Sequence, residues 1–166
     1  YGGYKTALTG LKKSLIIAGF GLIIGIVLGS VVAAIKVAGA RNRVAKIISY
    51  VGDVYTSIFR GTPIVVQLMI FYFIVFNGVP MSDLMKVVIV FGLNSGAYVA
   101  EIMRGGILSV DAGQMEAGRT LGLSYTATMI KIVIPQAVKN VIPTLGNELI
   151  ALTKDTSVAG YVATMD

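Results

Sequence analysis

Four polar side chains interrupt an apolar run near the middle of the chain: Asn94, Ser95, Tyr98 and Glu101. On a helix, Glu101 lies about one turn from Tyr98 and about two turns from Asn94, so these residues can line one face. A carboxylate among apolar neighbours is costly to hold and marks a functional position by default. Glu101 can accept a hydrogen bond from an ammonium or another cation. Asn94 and Ser95 can bond a carboxylate or an amide. Asp155 offers a second acidic acceptor further along. Gly61-Thr62 precedes Pro63, where a helix must break and leave backbone donors open to an anion. Each residue also has a plainer use. Glu101 can pair with Arg104 three positions on. Asn94 and Ser95 can bond helices to one another. Lys154 can neutralise Asp155.

Covalent and redox chemistry have little to work with. The chain has no Cys and no His, which removes thiols, disulfides and the commonest transition-metal ligands. A G-x4-G-K-[ST] phosphate loop is absent, so this chain cannot hydrolyse ATP. These residues suit recognition and passage of a solute rather than bond-breaking.

The elements that position them are membrane helices. Of 166 residues, 55% are hydrophobic and 13% charged, with mean hydropathy +0.83. Soluble domains are about 25% charged, so this surface belongs against lipid or against other helices in lipid. The net charge of +6 sits at the ends of apolar runs rather than in one patch. Lipid head groups explain it and nucleic acid does not. The expected organisation is a single all-α membrane domain over 1–166. Its spans fall at about 14–35, 47–76 (broken near 60–63), 83–103 and 135–152, with the start of a fifth from 158. Residues 1–13 suit a short surface helix. Gly21, Gly25 and Gly29 recur every fourth position and allow another helix to approach closely. The last helix is expected to be missing or truncated.

Orientation follows from basic residues in short loops. Lys36, Arg41, Arg43 and Lys46 occupy one loop, and Arg104, Arg119 and Lys131 another. Alternating spans put both loops on one side, which is therefore cytoplasmic, with Tyr1 outside. Lys5, Lys12 and Lys13 argue mildly the other way.

The polar loop at 104–131 carries the most specific spacing. Glu116-Ala117-Gly118 is followed by Gly122, then Ile132, then Ile134-Pro135. This resembles the E-A-A-x3-G-x9-I-x-L-P loop of permeases in ATP-binding-cassette importers. Gly118 stands in place of the second Ala and Ile134 in place of Leu. The resemblance implies a short coupling helix that docks on a separate ATPase. Ala117 and Gly118 would permit close docking, Glu116 and Arg119 would make rim contacts, and Gly122 would turn the chain. Pro135 would open the next helix.

Other stretches narrow the resemblance. Arg60-Gly61-Thr62-Pro63 with Gln67-Leu68, Leu93 to Tyr98 with Glu101, Arg104-Gly105-Gly106-Ile107, Gly146-Asn147-Glu148 and Lys154-Asp155-Thr156-Ser157 are similar to the polar amino acid permease group. That implies a five-helix core working as a homo- or heterodimer in a bacterial cell membrane. The implied partners are two ATPase subunits that bind ATP and Mg, and an extracytoplasmic amino-acid-binding protein or fused binding domain. No cofactor is expected in this chain. Two other classes stay open on the residues alone: an ion-gradient-driven secondary amino acid transporter, and an assembly subunit that transports nothing.

Overall fold

A computed structural model describes residues 3–39 and 43–163. All regular elements there are helical. They are α1 (Gly3–Ala38), α2 (Arg43–Gly61), α3 (Ile64–Ile70), α4 (Asp83–Leu108), α5 (Ala112–Thr120), α6 (Tyr125–Thr128) and α7 (Ile134–Ala163). A π-helical turn at Phe71–Val75 extends α3, and another at Met129–Val133 joins α6 to α7.

Between Ser14 and Ile35 helix α1 carries no charge and is apolar on every side, as suits a helix in lipid. Its buried residues recur as Ala18, Gly21, Gly25, Gly29 and Ala33, a single stripe. That stripe lies on α4. A Cβ at Gly21 would meet the Phe91 Cβ at 3.2 Å, and one at Gly29 would sit 2.8 Å from the Ala100 nitrogen. Gly92 returns the arrangement by receiving Ile24. Without side chains in the seam the backbones close up and the dispersion contacts are dense. Below it, Phe91, Leu68 and Leu152 are fully buried and tie α4, α3 and α7 into one core.

Three boundaries differ from those expected of the sequence. The first 13 residues contribute no separate surface helix, because α1 runs unbroken from Gly3. Its Lys5, Lys12 and Lys13 carry no backbone penalty, so charge alone does not end it. The polar stretch at 154–157 does not divide α7 either. Thr153, Thr156 and Ser157 turn their hydroxyls back onto the carbonyls of Leu149, Thr153 and Lys154. That satisfies them within the helix, so the expected segment at 135–152 and the one from 158 are a single helix. Pro135 opens nothing. The helical run starts at Tyr125, capped by the Ser124 hydroxyl, which accepts from the Ala127 N–H at 3.1 Å. The π turn just before Pro135 passes the Ile134 N–H to Met129, five residues back. This widening makes room where proline lacks a donor.

Length and composition qualify α1 and α4 as spans. Helices α2 and α3 with its π turn qualify together as a broken span bent by 106° at Thr62-Pro63. Helix α7 is longer than α4 but carries Lys139, Asn147, Glu148, Lys154 and Asp155. Much of that polar side is exposed in the single chain.

Candidate functional site

The break between α2 and α3 is built from its unpaired carbonyls. Pro63 cannot donate, so the last carbonyls of α2 need other partners. Gln67, one turn into α3, supplies them. Its Nε2 donates to the Phe59 carbonyl at 2.7 Å, the Thr62 carbonyl at 3.0 Å and the Thr62 hydroxyl at 2.8 Å. Asn94 on α4 completes the knot by donating to Gln67 Oε1 at 3.1 Å and to Phe59 O at 3.3 Å. Both amides are buried. The structure therefore joins Asn94 to Thr62 through a residue that spacing did not single out. Gly61 is exposed beside them, with open space where a Cβ would stand.

Two turns along α4 lies a denser charged cluster. Lys36, near the end of α1, contacts the Glu101 carboxylate, Asp53 at 2.9 Å and the Thr56 hydroxyl at 3.1 Å. Arg104 grips the other Glu101 oxygen through Nε at 3.1 Å and Nη2 at 2.9 Å. Arg60 approaches the same oxygen at 4.0 Å, with its guanidinium 5.5 Å from the Tyr98 ring centre. Helix α2 brings Ser49, Asp53, Thr56 and Arg60 to this place because they repeat every three or four residues. The side chains of Lys36 and Glu101 are only 8% and 18% exposed. At that burial each charge needs its partners. Glu101 is thus paired with Arg104, as its spacing allowed, and with Lys36, which was not expected.

Ser95 is fully buried one residue after Asn94. Its hydroxyl lies over Gly25 and is directed toward the Glu148 carboxylate of α7. Across from it, α7 presents Glu148, with Asp155 two turns further along the same face. No ion pair joins Asp155 to Lys154 among the described residues. Asn94, Ser95, Tyr98 and Glu101 therefore do not share one purpose in the fold. Asn94 closes the helix break, Glu101 belongs to the charged cluster, and Ser95 faces α7. Lys36, Gln67 and Glu148 were missed as site residues. All three are polar groups in or beside apolar runs, which is the signal that would have found them.

The loop at 104–131 contains a small helical hairpin. Helix α4 continues to Leu108, and α5 is capped by Asp111, whose Oδ1 accepts from Gly113 N at 2.7 Å. Glu116, Ala117 and Arg119 face outward. Gly118 does not. It is buried, and a Cβ there would overlap the Thr128 side chain and lie 3.1 Å from Ile132. Its small size lets α5 seat closely on Thr128 and Ile132. Gly122 adopts φ +87°, the left-handed conformation that lets α5 end and reverse. Leu121 beside it is 81% exposed. The result is a nine-residue helix set directly on the π turn at the base of α7, with one face uncovered.

Comparison with known proteins is consistent along nearly the whole chain. Residues 21–165 match the family described as binding-protein-dependent transport system inner membrane component. A Rickettsia bellii protein, provisionally named a glutamine transport system permease protein, is 44% identical over 158 residues, covering 94% of this chain and 68% of its own. The arginine transport system permease protein of Bacillus subtilis is 40% identical, with 96% and 71% covered. A crystal structure of an amino acid ABC transporter with histidines superposes with a TM-score of 0.84 at 35% identity, covering 94% of this chain and 71% of that one. The matches are to permeases of ABC importers, which supports that class and not the ion-gradient-driven alternative. By its match over residues 21–165, its relatives and its helical architecture, the chain belongs to the binding-protein-dependent permease family of ABC importers.

Proposed function

We propose that this chain forms part of the translocation pathway of an importer for polar amino acids and receives the ATP-driven stroke through α5. The chain is a membrane-embedded transport subunit and not an enzyme. ATP and Mg bind a separate pair of ATPase subunits. A second permease chain, identical or related, completes the pathway, and an extracytoplasmic binding protein or domain delivers the solute. The α5 hairpin and the loop before α2 lie on the cytoplasmic side of a bacterial cell membrane.

The observation that carries this reading is the hairpin at α5. A short capped helix leaves Glu116, Ala117 and Arg119 uncovered while Gly118 seats it on Thr128 and Ile132. Force applied to that face passes straight into the π turn and α7. Helix α7 carries the exposed polar side with Glu148 and Asp155, and Ser95 opposes it. Two carboxylates suit an ammonium or a cationic side chain, and Ser95 suits a carboxylate or amide. Names of the relatives, for glutamine and arginine transport, favour polar amino acids as the class. Gly61, Thr62, Asn94, Tyr98 and Glu101 shape the pathway by fixing the broken helix against α4.

Co-purification with the ATPase tests the docking role. Glu116→Lys places a cation on the uncovered face without touching the core. The variant should insert and fold as wild type yet retain little ATPase and lose amino-acid-stimulated hydrolysis. Full stimulation in the variant would remove α5 as the docking element.

A further inference from the structure

Two adjoining cavities lie beside the charged cluster, lined by residues of α1, α2 and α4. The first is about 470 Å³ and largely polar, reaching from Lys36 and Asp53 to Arg60, Glu101 and Arg104. The second is about 800 Å³ and largely apolar, with Ile47, Tyr50 and Lys46 in its walls. They share Lys36, Ser49 and Asp53, so one opens into the other. Across both, four cations (Lys36, Lys46, Arg60, Arg104) face two carboxylates (Asp53, Glu101), a surplus of two positive charges.

That surplus resides in particular groups. Lys36 is already engaged by both carboxylates and Thr56. Arg104 spends two of its N–H groups on Glu101. Arg60 makes no hydrogen bond among the described residues and is held only by its 4.0 Å approach to Glu101 and by the Tyr98 ring. Two guanidiniums with donors to spare thus line one polar cavity, and such groups bind a phosphate by paired hydrogen bonds. Beside it, the apolar cavity is bounded by side chains that are themselves largely uncovered: Ile47 is 70% exposed and Tyr50 68%.

We propose that the paired cavities hold one anionic phospholipid, its phosphate on Arg60 and Arg104 and an acyl chain along Ile47 and Tyr50, with Lys46 at the mouth. A polar chamber with excess positive charge that opens into an apolar groove matches a lipid and not a free anion, which would leave the groove unfilled. Basic pockets between membrane helices take such head groups. The bound lipid would fix the spacing of α1 and α2 at the same end as the Glu101 cluster. The site does not depend on the transported solute, so its test is separate from amino acid uptake.

The intact transporter with its ATPase subunits, purified in a mild detergent, would be titrated with dioleoylphosphatidylglycerol. Dioleoylphosphatidylcholine and inorganic phosphate serve as parallel arms, and thermal unfolding is read throughout. Phosphatidylglycerol should raise the unfolding temperature with saturation, while the other two should not. Arg60→Gln should raise the half-saturating concentration about tenfold, and Lys46→Gln, on an exposed side chain, should raise it less. Should Arg60→Gln fail to fold, Lys46→Gln and the head-group comparison still decide. Equal stabilisation by phosphatidylcholine, or no weakening in the variants, would overturn the proposal. Saturation by inorganic phosphate alone would also overturn it, by making this a free-anion site.

Discussion

Lys36 and Glu101 show how single residues set the limits of the site. The Lys36 ammonium has two carboxylates within reach, whereas Glu101 is shared between Lys36 and Arg104. Removing one partner of a buried pair costs about 3 kcal/mol when a charge is left unpaired. Glu101→Leu leaves the poorly exposed Lys36 with only Asp53 and frees Arg104, so it should be markedly destabilising. Lys36→Met should cost less, because Glu101 keeps Arg104 and Asp53 is half exposed. Thermal unfolding in detergent distinguishes the two, and the reverse order would contradict the geometry. Gln67 is the other decisive residue. Gln67→Leu deprives the Thr62 carbonyl of its side-chain donor and Asn94 of an acceptor, and leaves the Phe59 carbonyl only the longer bond from Asn94, at a cost of about 1–3 kcal/mol. An unchanged unfolding temperature would mean that water replaces the amide. Asn94 and Glu101 stood out in the sequence because polar groups in an apolar run are conspicuous. Their partners did not, because Lys36 lies 65 residues from Glu101 and Gln67 lies 27 from Asn94, and such pairings come only with the fold.

At the scale of elements, glycine spacing and helix ends explain most of the architecture. The α1 stripe was legible because small residues every fourth position have a direct packing consequence. Gly19 and Gly29 then make a controlled pair. A Cβ at Gly19 meets nothing within 4 Å, whereas one at Gly29 presses on the backbone of Gly96 and Ala100 at 2.8 Å. Gly19→Ala should therefore be neutral or stabilise by up to about 1 kcal/mol through helix propensity. Gly29→Ala should destabilise by forcing α1 off α4. Denaturation of both variants side by side measures this, and equal effects would rule out a tight seam. Boundaries were less legible. The unbroken α7 depends on hydroxyls of Thr153, Thr156 and Ser157 folding back onto their own helix, which composition does not reveal. The π turn before Pro135 was likewise hidden, since proline reads most simply as a helix start. The place of Gly118 in the loop is visible in the sequence, whereas its contact with Thr128 comes only with the fold.

Across the whole molecule, the elements divide by what they pack against. Helices α1 and α4 lock along the glycine seam, and the Lys36–Glu101 cluster adds α2 to them. The α5 hairpin packs instead on α6 and on the π turn leading into α7, through Thr128 and Ile132. A push on α5 thus reaches the polar face of α7 before it reaches the α1–α4 seam. Under the function proposed above, this arrangement would place the solute path on α7 and the ATPase contact at its base. The most direct test is uptake of labelled polar amino acids into proteoliposomes holding the full transporter, its ATPase subunits and the binding protein. Enclosed ATP should drive accumulation of at least one such amino acid with no ion gradient, and Glu116→Lys should abolish it. Accumulation that follows an imposed ion gradient and ignores ATP would contradict the account.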